Sequence, residues 1–157
     1  MTSVRLHSAH VAAVDVVATA ALTVETAGDG PVEITAQVRQ FVERVDARDG
    51  VVLVFLRHTS ASLTIQENAD PDVQTDLRTA LRQLAPEDAG WVHDVEGPDD
   101  MPSHVKAMLT GVSLHLPVIS GALALGTWQG IYLLEHRARP HRREVVLQFL
   151  GSKSAPP

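Results

Sequence analysis

From Val112 onward the chain is a succession of short apolar segments: VSLHLPVI, ALALG, GIYLLEHR and EVVLQFLG. They are separated by SG, TWQG and ARPHR. Each segment is too short for a globular helix and is rich in residues that fit a pleated sheet. The breaks carry the glycine and proline that reverse a chain. This even spacing of short strands predicts an antiparallel meander.

The first part of the chain adds helices to that sheet. VAAVDVVATAALTVE (11–25) predicts one or two strands, and GDGP (28–31) a turn. Ile34, Val38, Phe41, Val42 and Val45 recur at helical spacing, so 33–47 reads as an amphipathic helix terminated near Gly50. VVLVFL (51–56) reads as a central strand, and SLTIQ (62–66) pairs with it or with a neighbour. Asp70 before Pro71 predicts a capped helix start. Val73, Leu77, Leu81 and Leu84 mark its buried face, ending at Pro86. Residues 85–102 form a long loop, and Ser103 caps a short helix over 104–109. The expected architecture is α+β: antiparallel sheets in a sandwich or open barrel, with two main helices and one short one. Residues 1–151 make a single domain and 152–157 a disordered tail.

Composition removes several classes of function. A net charge of −6 argues against a nucleic-acid partner. The basic run HRARPHRR at 136–143 is a solvated hairpin tip or a polyanion site. The absence of cysteine excludes disulfides, thiolate nucleophiles and Cys-ligated metal. No apolar run is long enough to span a bilayer and no signal-peptide core is seen, so the expectation is a cytoplasmic protein without a membrane partner.

Eight histidines are the one over-supplied functional residue type. His58, His93 and His104 could form a metal or acid–base site, since imidazole suits zinc and similar ions. Thr59, Ser60 and Ser62, with Lys106 and Arg57, could receive an anion, although serines and threonines also serve turns and caps. In QENADPD, Asp70 is explained as a cap, whereas Glu67 and Asn68 are not. Glu67 could act as a general base or orient a ligand histidine. In GTWQG, Trp128 could stack on a flat ring or cover a core or an interface. Neither G-X-S-X-G nor G-X-G-X-X-G occurs, so hydrolase-triad and dinucleotide-fold readings lack support.

HTSASLTIQENADPDVQTDL, HDVEGPDDMPSHVKAMLTG and LALGTWQGIYLLEHR closely resemble signature blocks of the YjbQ family, often described as secondary thiamine-phosphate synthase-type proteins. The resemblance runs from about Ala9 to Gly151. It implies a compact α+β fold, a homotrimer, and shared His and acidic positions at His58, Glu67, His93, Glu96 and His104. On this basis His58, His93 and His104 are expected to hold a divalent metal, zinc-like rather than magnesium. Glu67, Glu96 and His58 are the expected catalytic groups. Thr59, Ser60, Ser62, Asn68, Lys106, Trp128 and Gln129 are expected to bind a small phosphorylated substrate. The implied activity is a weak joining of the two halves of thiamine phosphate. A metal-assisted phosphoester hydrolase and a non-catalytic metal- or ligand-binding module stand as alternatives.

Overall fold

The structure, a computed structural model, describes residues 2–154. Strand β1 (Val16–Glu25) and the short β2 (Gly30–Glu33) lead into helix α1 (Thr35–Arg44). Strands β3 (Ala47–Leu56) and β4 (Ala61–Glu67) follow, then α2 (Pro71–Leu84) and α3 (Asp100–Thr110). The chain closes with β5 (Ser113–Ile119), β6 (Ala122–Leu123), β7 (Gln129–Glu135) and β8 (Arg142–Lys153). The fold is α+β with two antiparallel sheets, ordered β1-β8-β3-β5-β6 and β2-β7-β4.

The four C-terminal segments are strands, as their spacing predicts, but they do not form one meander. Only β5 and β6 pair as neighbours in sequence; β7 joins the second sheet and β8 inserts between β1 and β3. Strand β4 likewise pairs with β7 rather than with β3.

Period-two alternation builds the core from both sheets. Val52, Val54 and Leu56 of β3 face inward with Leu116 and Val118 of β5 and Val145, Leu147 and Phe149 of β8. Ala61 and Leu63 of β4 and Ile131 and Leu133 of β7 meet them from the other sheet. Burying each larger aliphatic side chain stabilises the fold by roughly 1.5–3 kcal/mol. Helix α1 closes the core with Val38, Phe41 and Val42. Helix α2 differs from its expected role: Val73, Leu77 and Leu81 are only half-buried and Leu84 is exposed. Its start follows the sequence, with the Asp70 carboxylate accepting the Asp72 N–H at 2.9 Å.

Three boundaries shift. ARDG is the start of β3 rather than a helix stop, because Gly50 sits directly opposite Gly151 of β8. A Cβ on either would run into the facing backbone, so the two glycines serve strand approach, not helix termination. Ser152 and Lys153, expected to open a disordered tail, continue β8 opposite Asp49 and Ala47. The remainder of that tail, 155–157, lies outside the described residues. Helix α3 is not a short helix begun at Ser103. It starts at Asp100 and runs for 11 residues.

Candidate metal centre

The early start of α3 creates the site. Asp100 occupies its acidic first turn and Pro102 falls within that turn, where a missing N–H costs no hydrogen bond. Asp100 and His104 are then one turn apart on the same helix face. The 85–99 loop brings His93 to that face, and the two imidazole centroids lie 5.7 Å apart. Donor atoms of His93, Asp100 and His104 all fall within 4.8 Å of one another.

Asp100 is 2% exposed, and its Oδ2 has no hydrogen-bond partner. His93 Nε2 approaches that oxygen to 2.7 Å and His104 Nε2 to 3.6 Å. Neither approach makes a hydrogen bond, so both nitrogens and the oxygen stand within reach of a common cation. The other carboxylate oxygen, Oδ1, is held by Arg137. Arg137 also grips Asp99 Oδ2 at 3.2 Å and the Glu96 carbonyl at 2.8 Å. Through these bonds it ties the loop to the start of α3.

The tautomer of His104 is set by its surroundings. Its Nδ1 lies 3.0 Å from the Thr59 carbonyl, which can only accept a hydrogen bond. The ring proton therefore sits on Nδ1, leaving the Nε2 lone pair directed to the Asp100 side. Two imidazoles and one carboxylate, with an outer carbonyl fixing one ring, match the donor set of a zinc-type ion.

His58 stands outside this cluster. Its Nε2 accepts the Glu144 N–H at 2.9 Å, and its Nδ1 faces the Arg143 guanidinium, so both ring nitrogens are engaged away from the cluster. Burial, aided by the charge of Arg143 3.5 Å from Nδ1, holds its pKa below the ordinary histidine value. Asp100 takes the third position that the sequence reading assigns to His58.

The remaining expected site residues divide into separate groups. Ser60 Oγ accepts from Arg143 at 3.2 Å, and Ser62 Oγ meets His136 Nε2 at 2.8 Å in full burial. Thr59 lends its carbonyl to His104. Glu96 has an exposed side chain 3.6 Å from Arg137. Lys106 is buried on another part of α3. Glu67 and Gln129 pair at one end of the β4–β7 ladder, while Ala61 and Glu135 close the other end, next to Thr59. A seven-residue strand spans roughly 20 Å, so Glu67, Asn68, Trp128 and Gln129 are not brought to the histidine cluster of their own chain. There Asn68 donates to Glu33 at 3.4 Å, Gln129 accepts the Gly126 N–H, and Trp128 is exposed.

Sequence reasoning missed four residues that organise the region: Asp100, Arg137, Glu135 and Arg143. The first was legible in DDMPSH, where Asp100 and His104 are four apart and Pro102 favours a helix beginning before it. The Glu135–Arg143 pair becomes visible only when β7 and β8 are placed in facing sheets. Glu135 continues the inward parity of Ile131 and Leu133, and Arg143 that of Val145 and Leu147. Arg143 donates to both Glu135 oxygens, at 2.7 and 2.5 Å, while Thr26 and the Arg137 N–H add a bond each. Burial pushes the Glu135 carboxyl up, but these bonds outweigh it and hold it below the usual carboxylate range.

Beside His104 runs an open groove of about 580 Å³, walled by Phe55, His58, Thr59, Ala107 and Met108. Among the described residues no helix is long and apolar enough to cross a membrane.

Comparison with known proteins bears on these features together. The family described as UPF0047 protein YjbQ-like matches residues 20–152. The chain belongs to this YjbQ-like family. It is 48% identical over 131 residues to the UPF0047 protein sll1880 of Synechocystis, covering 83% of this chain and 89% of that one. With the UPF0047 protein YjbQ of Salmonella typhimurium it shares 49% over 102 residues, covering 65% and 74% of the two chains. The solved structure of SSO2532 from Sulfolobus solfataricus superposes with a TM-score of 0.78 at 25% identity, covering 87% and 99%. That protein is described as YbjQ-like and of unknown function. The activity that the resemblance implied is accordingly corrected. These YjbQ-like relatives are known by family name alone, with no thiamine-phosphate synthesis or phosphoester hydrolysis attached, and both enzymatic readings are withdrawn.

Proposed function

We propose that this YjbQ-like chain is a divalent-metal-binding module, holding a zinc-type ion through His93 Nε2, Asp100 Oδ2 and His104 Nε2. The observation that carries the reading is the Asp100 oxygen: buried, without a hydrogen bond, and approached by two imidazole nitrogens. A buried carboxylate oxygen left this way costs about 1–3 kcal/mol or more unless a cation meets it. Magnesium suits the site poorly, since it prefers oxygen donors and retains its waters. A bound ion would supply a Lewis-acidic centre, and three protein donors leave coordination capacity for an oxygen ligand entering by the groove.

Metal loading tests this directly. After stripping with a chelator, the protein is expected to take up about one zinc per chain and to gain about 2.7 kcal/mol of stability at a free-ion concentration of 100 Kd. Elemental analysis finding no retained zinc, or magnesium held as tightly as zinc, would overturn the proposal.

A homotrimer of this chain is part of the same proposal, supported by the exposed apolar side chains of Val17, Phe55, Met108, Leu109 and Ile119. Light scattering is expected to return the mass of three chains. A monomeric mass with zinc still bound removes the trimer and leaves the metal site intact.

A further inference from the structure

A second cavity, of about 400 Å³, lies where the end of α2 meets α3. Asp29, Arg82, Ala85, Glu87, Lys106 and His136 are among its walls. Lys106 is one of only two lysines in the chain; the other, Lys153, is exposed at the end of β8. Lys106 is 7% exposed. Among the described residues its ammonium forms neither a hydrogen bond nor an ion pair. The stem is buried while the ammonium opens onto the cavity without such a partner, so it offers a free cationic donor to whatever enters.

The carboxylates around Lys106 do not take up that donor. Asp29 is held by Arg82 at 2.6 Å and Arg78 at 3.3 Å. Asp99 is held by Arg137 and the Ala138 N–H. Glu87 is exposed and, among the described residues, forms no ion pair. Arg82 engages one nitrogen with Asp29 and retains further N–H donors. A ligand carboxylate can therefore sit between Lys106 and Arg82.

A multiply charged anion does not suit the same walls. Asp29, Asp99 and Glu87 are among the walls, and Ala85 places the C-terminal end of the 14-residue helix α2 there. That end carries partial negative charge and favours a cation. The cavity walls thus include unused positive donors as well as an unused carboxylate and a helix C-terminus. We propose that it is a second ligand site, independent of the metal centre, for a small zwitterion of the α-amino acid class. Its carboxylate would meet Lys106 and Arg82, and its ammonium Glu87 and the α2 terminus. This is an alternative to the phosphate-binding role expected of Lys106, in which a dianion would face the unpaired Glu87 carboxylate.

Isothermal titration of the zinc-loaded protein with the standard L-α-amino acids tests the site. For the tightest binder, the matched analogues lacking the amine or the carboxylate, and inorganic phosphate, serve as the comparison arms. At least one amino acid is expected to bind at least tenfold tighter than each of its half-ligands and than phosphate. Lys106→Met is expected to abolish that binding with zinc content unchanged. Glu87→Gln, at an exposed position that leaves the fold intact, is expected to lower the amino acid to the level of its amine-free analogue. No heat with any probe, phosphate or a half-ligand binding as tightly as the amino acid, or wild-type affinity in Glu87→Gln would each overturn the proposal. Zinc content is read in the same samples, so loss of this site and loss of the metal centre register separately.

Discussion

Replacing Arg143 by methionine lowers the free energy of unfolding by about 3–5 kcal/mol, the cost of leaving one partner of a buried ion pair alone. The magnitude follows from where Glu135 sits. It is 1% exposed at the end of the core stripe of β7, and Arg143 satisfies both its oxygens. After the substitution only Thr26 and the Arg137 N–H still donate to a carboxylate that cannot reach water. Because the pair depresses the Glu135 pKa below 4.5, its contribution is complete above that value and fades as the pH falls through the lower folded value. Urea unfolding near neutral pH measures the loss. Combining Arg143→Met with Glu135→Leu should recover most of it, since an apolar pair removes the stranded charge. A single-variant loss under about 1 kcal/mol would mean that water reaches Glu135. The same variant should loosen Ser60 and His58, which Arg143 contacts at 3.2 and 3.5 Å.

Acid weakens the fold by about 3 kcal/mol through His136 alone. Burial, reinforced by the charge of Lys106, lowers its pKa from 6.5 to about 4. Asp29 and Glu135 act in the opposite direction and do not prevail. Between about pH 6.5 and 4 the unfolded chain binds a proton that the folded chain refuses, so stability rises with pH across that window. Above it both states are neutral at this ring, and below it both are charged. His136→Gln isolates the effect from carboxylate titration: wild type should lose about 3 kcal/mol more than the variant between pH 7 and 4. Parallel stability curves for the two proteins would show that the buried ring is free to protonate. The Ser62 hydroxyl, 2.8 Å from Nε2, gives the neutral ring its partner.

What the sequence reveals and what it hides follow from the range of the interactions involved. Local chemistry was legible: the Asp70-Pro71 start, the period-two strands and the amphipathic stripe of α1 all arise within a few residues. Partner choice was not, since the alternation of GIYLLEHR is the same whether β7 joins β3 or β4. Helix α2 shows how an apolar stripe overstates burial when the surface beneath it belongs to one side only. At the site, His93 and His104 were readable as imidazoles, and the structure brings them together. His58 was equally readable, yet the amide of Glu144, 86 residues away, takes its lone pair. Asp100 was passed over because starting the helix at Ser103 places it in a loop rather than one turn before His104.

Zinc content after dialysis, compared between wild type, His104→Ala and His58→Ala, decides what completes this centre. Because the imidazole at 104 aims its free nitrogen toward a stranded carboxylate while that at 58 is already engaged, wild type and His58→Ala should each keep about one ion per chain, and His104→Ala should keep none. An ion retained without the ring at 104, or lost when only the ring at 58 is removed, would contradict the account.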